Sequence, residues 1–252
     1  NLTGSVGVNI IFGRFKNRVS NQRMQIKFKG TLWILMFAAI ANNAGAQLPW
    51  FEDFGTGCNQ LQTAIGFVSA NGGWSVMQTG ANAADANEWY ISSTEAGMFT
   101  GVCGDGCLNS VGLTDATLHI GNVSTSPAAM LFCPTGDCGA AYDAGGIGNT
   151  TTNTRAISPL INCSTATGTV YLTFKYMEDG DASNDNFTVD YWDGATWSQL
   201  IDPVKTATTC AVGQGFWTTS GAVALPASAI GNPAINIGFT WTNNNDGIGT
   251  DP

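Results

Sequence analysis

The chain has 252 residues, with nine Lys and Arg, eighteen Asp and Glu and one His, for a formal net charge of −9. Only 11% of it is charged, whereas 32 residues are Gly and seven are Cys. That balance excludes a protein that works by holding phosphates with Lys and Arg, so neither nucleic acid nor an anionic lipid surface is an expected partner.

The sequence opens on Asn1, and its first methionine, Met24, begins a segment with its own pattern. Arg23, Lys27 and Lys29 precede the apolar run Leu32 to Ala41, and Ala44-Gly45-Ala46 supplies small residues of the A-x-A type. This is the layout of a secretory signal peptide. Its apolar core is about ten residues long, whereas a membrane span needs roughly 20. We therefore expect a leader over residues 24–46, Gln47 as the mature N-terminus, and secretion or display at the cell surface with no membrane insertion after cleavage. Residues 1–23 then form an upstream extension outside the mature protein; the alternative is a basic, partly ordered N-terminal arm. Cleavage would remove six of the nine basic residues and none of the acids, leaving Arg155, Lys175 and Lys205 against eighteen carboxylates. So acidic a surface suits divalent cations, or else the carboxylates only solvate an exported protein.

Export makes disulfides the default for the cysteines. Cys103 and Cys107, and Cys133 and Cys138, are close pairs around glycine-bearing loops that could close local bridges. Zinc ligation by these four is the alternative, with no second histidine to help. Cys58, Cys163 and Cys210 leave one thiol over.

Residues 47–252 read as one mainly β domain. Glycine, serine, threonine and asparagine abound, β-branched and aromatic residues cluster in short runs, and no amphipathic helix stands out. No repeat of about 20 to 50 residues marks a propeller or solenoid. In chain order, Leu48 to Phe54 predicts an opening strand, and Phe67 to Gln78 contains a turn at Gly72-Gly73-Trp74. Asn87 to Ser92 and Thr117 to Ile120 predict short strands. Between and after these lie two long loops, Gly97 to Gly112 and Gly121 to Thr154, which carry the cysteine pairs; long stapled loops often flank binding surfaces. Arg155 to Asn162 leads into Thr169 to Met177, where Val170, Leu172, Phe174 and Tyr176 share a face. In Asn186 to Trp192, Phe187, Val189 and Tyr191 face one way and Thr188, Asp190 and Trp192 the other. Asp193-Gly194 predicts a two-residue type I′ turn, which needs positive φ at both positions. Phe216 to Leu225 and Ala234 to Trp241 follow, the latter alternating Ile235, Ile237, Phe239 and Trp241. Such strands predict an all-β fold of two antiparallel sheets face to face, a jelly-roll sandwich with long disulfide-stapled loops. The loop Thr242 to Pro252 has no strand after it, so we expect the sandwich to lack its final strand.

The order EDF, a glycine-tryptophan turn, NEWYIS, TLHIG, AYD, RAISPLIN, DNFTVDYWDGATW and finally GFTW followed by NNNDGIGTDP resembles the jelly-roll domains of exported Bacteroidota proteins. These are similar to MAM-type and cleaved-adhesin modules. The resemblance spans Gln47 to Pro252 and rests on structural motifs. It implies a module joined to other domains of the same polypeptide, a closing acidic strand after Pro252, and a C-terminal sorting domain for type IX secretion.

The acidic loop is the first candidate site. Glu178, Asp179, Asp181, Asp185 and Asn186 gather four carboxylates and an amide oxygen, the hard ligands that Ca²⁺ prefers. Asn184 at position six and Asp190 at position twelve exclude an EF-hand, so the expectation is calcium in another geometry or a merely solvated loop. Asn243, Asn245, Asp246 and Asp251 form a second oxygen-rich loop that either joins the first site, forms its own, or is ordinary turn composition. Trp192 and Trp197 are candidate stacking platforms for a glycan, or cover a neighbouring sheet or domain.

Catalysis has little support, since His119 sits inside a strand without a Ser or Cys partner. Glu178 and Asp181 would be the acids of a glycosidase, but their spacing does not match alternating jelly-roll glucanase acids. Three readings follow: a non-catalytic adhesion module, calcium-stabilised, whose partner is a glycan or cell-surface protein; a carbohydrate-binding module serving a glycosidase or protease; and a secreted hydrolase.

Overall fold

A computed structural model describes residues 50–54, 62–63, 67–92, 117–121, 142–146, 148–206 and 217–249, together with the backbone of Val6–Ile11. The expected leader, Asp251 and all cysteines other than Cys163 lie outside the described residues. Cys163 is a buried free thiol whose pKa is pushed up by burial.

The described chain is all β apart from one 3₁₀ turn, Ala227–Ala229. Its strands are β1 (Val6–Ile11), β2 (Phe51–Glu52), β3 (Gln62–Thr63), β4 (Val68–Ser69), β5 (Gly72–Gly73), β6 (Ser75–Gln78), β7 (Glu88–Ser92), β8 (Thr117–Gly121) and β9 (Thr152–Ile157). After them come β10 (Tyr171–Glu178), β11 (Asn186–Trp192), β12 (Trp197–Ile201), β13 (Thr218–Thr219), β14 (Val223–Ala224) and β15 (Asn236–Asn243). One sheet runs β13-β10-β1-β8-β7-β3, with β14 added to β10 and β2 to β1. The other runs β12-β11-β15-β9-β6, and β4-β5 is a separate ribbon. All pairings are antiparallel.

The alternation read from the sequence decides which faces meet. Leu172, Phe174 and Tyr176 of β10, Phe187, Val189 and Tyr191 of β11, and Ile237, Phe239 and Trp241 of β15 are all buried. Phe174 of the first sheet lies edge-on to Phe187 and Phe239 of the second, at 6.4 and 6.1 Å between centroids, so the two sheets share one core. Fully burying each such side chain contributes roughly 1.5–3 kcal/mol. A second bond between layers runs from the Trp89 indole N–H to the Thr154 carbonyl, 3.4 Å.

Two local expectations change. The connection after β11 spans Asp193 to Thr196 rather than two residues, and only Gly194 has positive φ, at 104°. The Asp193 carboxylate explains this: it accepts the amides of Ala195 and Thr196 at 2.7 Å each and so stabilises a wider loop. The turn near residue 72 falls instead at Ala70-Asn71, with Gly72-Gly73 paired back on Val68-Ser69. There the Ser69 hydroxyl accepts the Asn71 amide. Val6–Ile11 pairs with β10 in the register Val6↔Glu178 to Ile11↔Thr173 and holds the sheet position between β10 and β8.

Candidate functional site

The acidic loop begins where β10 ends. Glu178 continues the inward face of β10, so its carboxylate enters the core and is fully buried. Its Oε1 accepts the Phe187 amide at 3.1 Å and meets Lys205 Nζ at 2.7 Å. The same ammonium donates to Asp185 O at 3.0 Å, Asn186 Oδ1 at 2.9 Å and, more distantly, Asp179 O at 3.3 Å. Four oxygens of the expected cation loop thus surround a lysine. Burial pushes the Glu178 pKa up to about 7, against the downward pull of Lys205 and the Phe187 amide. Asp181 instead caps the loop, its carbonyl accepting the amides of Asn184 and Asp185 and its carboxylate the Asn184 side chain. Position 180 requires glycine, because its φ is 132° and a Cβ there would run into the Asp185 carbonyl oxygen.

The second loop adjoins the first through Asp185. Its carboxylate is buried and accepts the Tyr142 hydroxyl at 2.5 Å and the Asn244 amide at 3.2 Å. Burial pushes the Asp185 pKa up, the Tyr142 and Asn244 bonds draw it back, and Asp246 and Asp181 add to the rise. Across from it, Tyr142 to Gly146 lies against Asn244 to Ile248: Gly145 bridges Asp246, and the Gly247 amide donates to Ala144 O. Asp143 is buried, its Oδ1 taking the Gly145 amide and its carbonyl taking the Asn87 and Asn243 side-chain amides. Asn243 Oδ1 is buried with no hydrogen-bond partner. Asn245, at φ 66°, accepts the Thr150 amide and hydroxyl, and Asp246 caps the Asn244 side chain and the Ile248 amide. Among the described residues no three His, Cys, Asp or Glu side chains are arranged to hold a metal. A cation here would need carbonyl and amide oxygens as well, which Ca²⁺ accepts.

The two tryptophans form a cross-strand pair, Trp192↔Trp197, with ring centroids 5.4 Å apart. Because Phe187, Val189 and Tyr191 face the core, Trp192 and its partner lie on the outer face, partly exposed. Beneath Trp197 sits the Arg155 guanidinium, 4.3 Å from the ring centroid. Arg155 Nε also bonds Asp190 at 3.1 Å and Thr240 at 2.8 Å, and Thr240 donates to the same Asp190 oxygen. Gly238 makes room: a Cβ there would fall 2.6 Å from Arg155 Cδ and 2.8 Å from Trp197 Cζ3.

The chain is similar to two solved cleaved-adhesin domains. The K1 domain of Lys-gingipain from Porphyromonas gingivalis W83 shares 16% identity over 74% of this chain and 89% of its own, with a TM-score of 0.38. The K3 domain of the same protein shares 15% over 77% and 98%, with a TM-score of 0.37. No family model matches the chain. No curated protein matches it either.

His119 is fully buried in β8, its ring stacked on Tyr90 at 5.4 Å and bonded to the Thr117 hydroxyl. Sequence reasoning passed over Lys205, Tyr142, Arg155 and Gly238. For Lys205 a signal existed, since it is one of only three cations in residues 47–252. It likewise gave Glu52 no part, yet this buried carboxylate joins the Phe54 amide, the Trp74 indole and the Asn71 amide, tying the EDF segment to β5–β6.

Proposed function

We propose that the chain is a non-catalytic binding module of a larger exported protein, and that its ligand-facing surface is the outer face of the five-stranded sheet around Trp192. The observation that carries this reading is the Trp192–Trp197 pair, held in place from below by Arg155 and Asp190. Such a pair presents flat aromatic area that loses little entropy when a ligand stacks on it. The acids offer no comparable case for catalysis: Glu178, Asp185 and Asp190 each engage donors of their own chain and hold loops or strands together.

A glycan is the ligand class that fits best, since sugars present apolar faces to aromatic rings; a cell-surface protein is the other. We assign a stabilising calcium to Asn243, with the neighbouring Asp185 carboxylate and backbone carbonyls such as that of Asp143, because the buried Asn243 Oδ1 lacks a partner there. A glycan array and a panel of cell-surface proteins, probed with the full chain and with Trp192→Ala, test the surface. Binding that the substitution abolishes supports the proposal. Binding that survives it, or no binding to either class, overturns it.

A further inference from the structure

We propose that the ammonium of Lys205 is the resident cation of the acidic loop: a tethered ion that holds the oxygen cage of Glu178, Asp179, Asp185 and Asn186 closed to divalent metals. The ligand class of the cage is therefore decided by one residue outside the loop. Its oxygens are the kinds that bind calcium, namely a carboxylate, two backbone carbonyls and a side-chain amide. They lie 2.7–3.3 Å from Nζ, whereas Ca²⁺ sits about 2.3–2.6 Å from its ligands. The cage is thus at ammonium size and would contract slightly around a metal.

Two further observations point to a built ion position and not a chance contact. Glu178 Oε2 is fully buried and has no hydrogen-bond partner, although it belongs to the carboxylate that faces the ammonium. A lysine offers three N–H donors, and four oxygens already share them. A metal would accept both oxygens of Glu178. Second, the segment carrying Lys205 is fastened on both sides. The Thr206 amide and hydroxyl both donate to Glu178 O, at 2.7 and 2.9 Å, and the Thr206 hydroxyl accepts the Glu178 amide at 3.1 Å. The Tyr176 hydroxyl donates to Val204 O at 3.1 Å. The main chain is therefore held in register with the end of β10 whether or not residue 205 carries a charge.

Tethering gives the ammonium a high effective concentration, so a free metal must displace a group that cannot diffuse away. Removing the side chain empties the position, and the opening through which Lys205 is 28% exposed admits waters to complete the six to eight ligands of Ca²⁺. The inference shares the calcium chemistry of the proposed second loop, but it is read as a difference and survives failure of that assignment.

The test is calcium titration by calorimetry of the whole chain and of Lys205→Ala. The variant is expected to bind one more equivalent than the wild-type chain, with Kd on the order of 10⁻⁴ M, whether the wild-type count is none or one. Glu178→Gln in the Lys205→Ala background is expected to lose that added equivalent. Equal stoichiometry in the wild-type chain and Lys205→Ala would overturn the proposal. Should Lys205→Ala be unfolded in chelator, refolding is followed as calcium is added. Recovery by calcium and not by sodium at equal ionic strength supports it, and no recovery refutes it.

Discussion

Lys205 Nζ lies 2.7 Å from Glu178 Oε1, joining a partly exposed side chain to a carboxylate with no exposure at all. The pair is lopsided: desolvation falls almost wholly on the acid. That is why the Glu178 pKa rises to about 7 although a cation touches it. A buried ion pair of this kind adds little net stability, because desolvation of the acid offsets the attraction.

The pH dependence of stability follows from that rise. The folded value of about 7 stands above the ordinary 4.5, so the folded chain holds the Glu178 proton more tightly than the unfolded one. The stabilisation is complete below about pH 4.5 and is lost as pH rises through 7. At about 1.4 kcal/mol per pH unit the gap amounts to at most about 3–4 kcal/mol. Asp185, also raised, acts in the same direction. Urea midpoints between pH 4.5 and 7.5 are expected to fall with pH in the wild-type chain and to fall much less in Glu178→Gln. An identical slope in the two proteins contradicts the assignment.

Gly238→Ala tests the outer face. The new methyl would overlap Arg155 Cδ and Trp197 Cζ3, so one of them must leave. A destabilisation of about 1–3 kcal/mol is expected, together with a red shift of tryptophan emission as Trp197 moves into water. A variant with the wild-type melting midpoint and spectrum would show that Arg155 and Trp197 are not stacked in solution.

The core prediction is steeper. Phe239 is fully buried, stacks on Phe187 at 5.9 Å and on Trp74 at 6.2 Å, and meets Phe174 across the sandwich. Phe239→Ala is expected to cost about 3–5 kcal/mol. Val68→Ala, at a residue 71% exposed, is expected to change stability by less than about 0.5 kcal/mol. Comparable losses at both positions would refute the placement of the core.

What was legible in the sequence divides along physical lines. The period-2 pattern of β10, β11 and β15 fixes which side chains face inward, and each of those expectations holds in the structure, because strand alternation is a local geometric property. At Asp193-Gly194 the structure departs from the dipeptide rule, because a carboxylate that accepts two nearby amides favours a wider loop than the dipeptide alone implies. The acidic loop was found from composition, but not what neutralises it. Lys205 is close to Glu178 only after β11 and β12 have carried the chain out and back, and no spacing rule encodes that. The same holds for Arg155, which crosses β15 to reach Asp190, and for Tyr142, which meets Asp185 across 43 residues.

Chelation bears on the second loop. If calcium sits at Asn243, beside Asp185 and the Asp143 carbonyl, it binds the folded chain and not the unfolded one, and so raises stability by mass action. At a free concentration of 100 Kd that gain is about 2.7 kcal/mol. Melting in excess calcium is expected to lie above melting in chelator. Asn243→Leu is expected to remove the difference, since it deletes the buried oxygen that now lacks a donor and keeps a side chain of similar size. Its own baseline in chelator decides the matter further. Leucine there relieves an unsatisfied buried group, so the variant in chelator is expected to melt no lower than the wild-type chain in chelator. A calcium effect that persists in Asn243→Leu would move the ion to other ligands. No calcium effect in the wild-type chain would remove calcium from this loop.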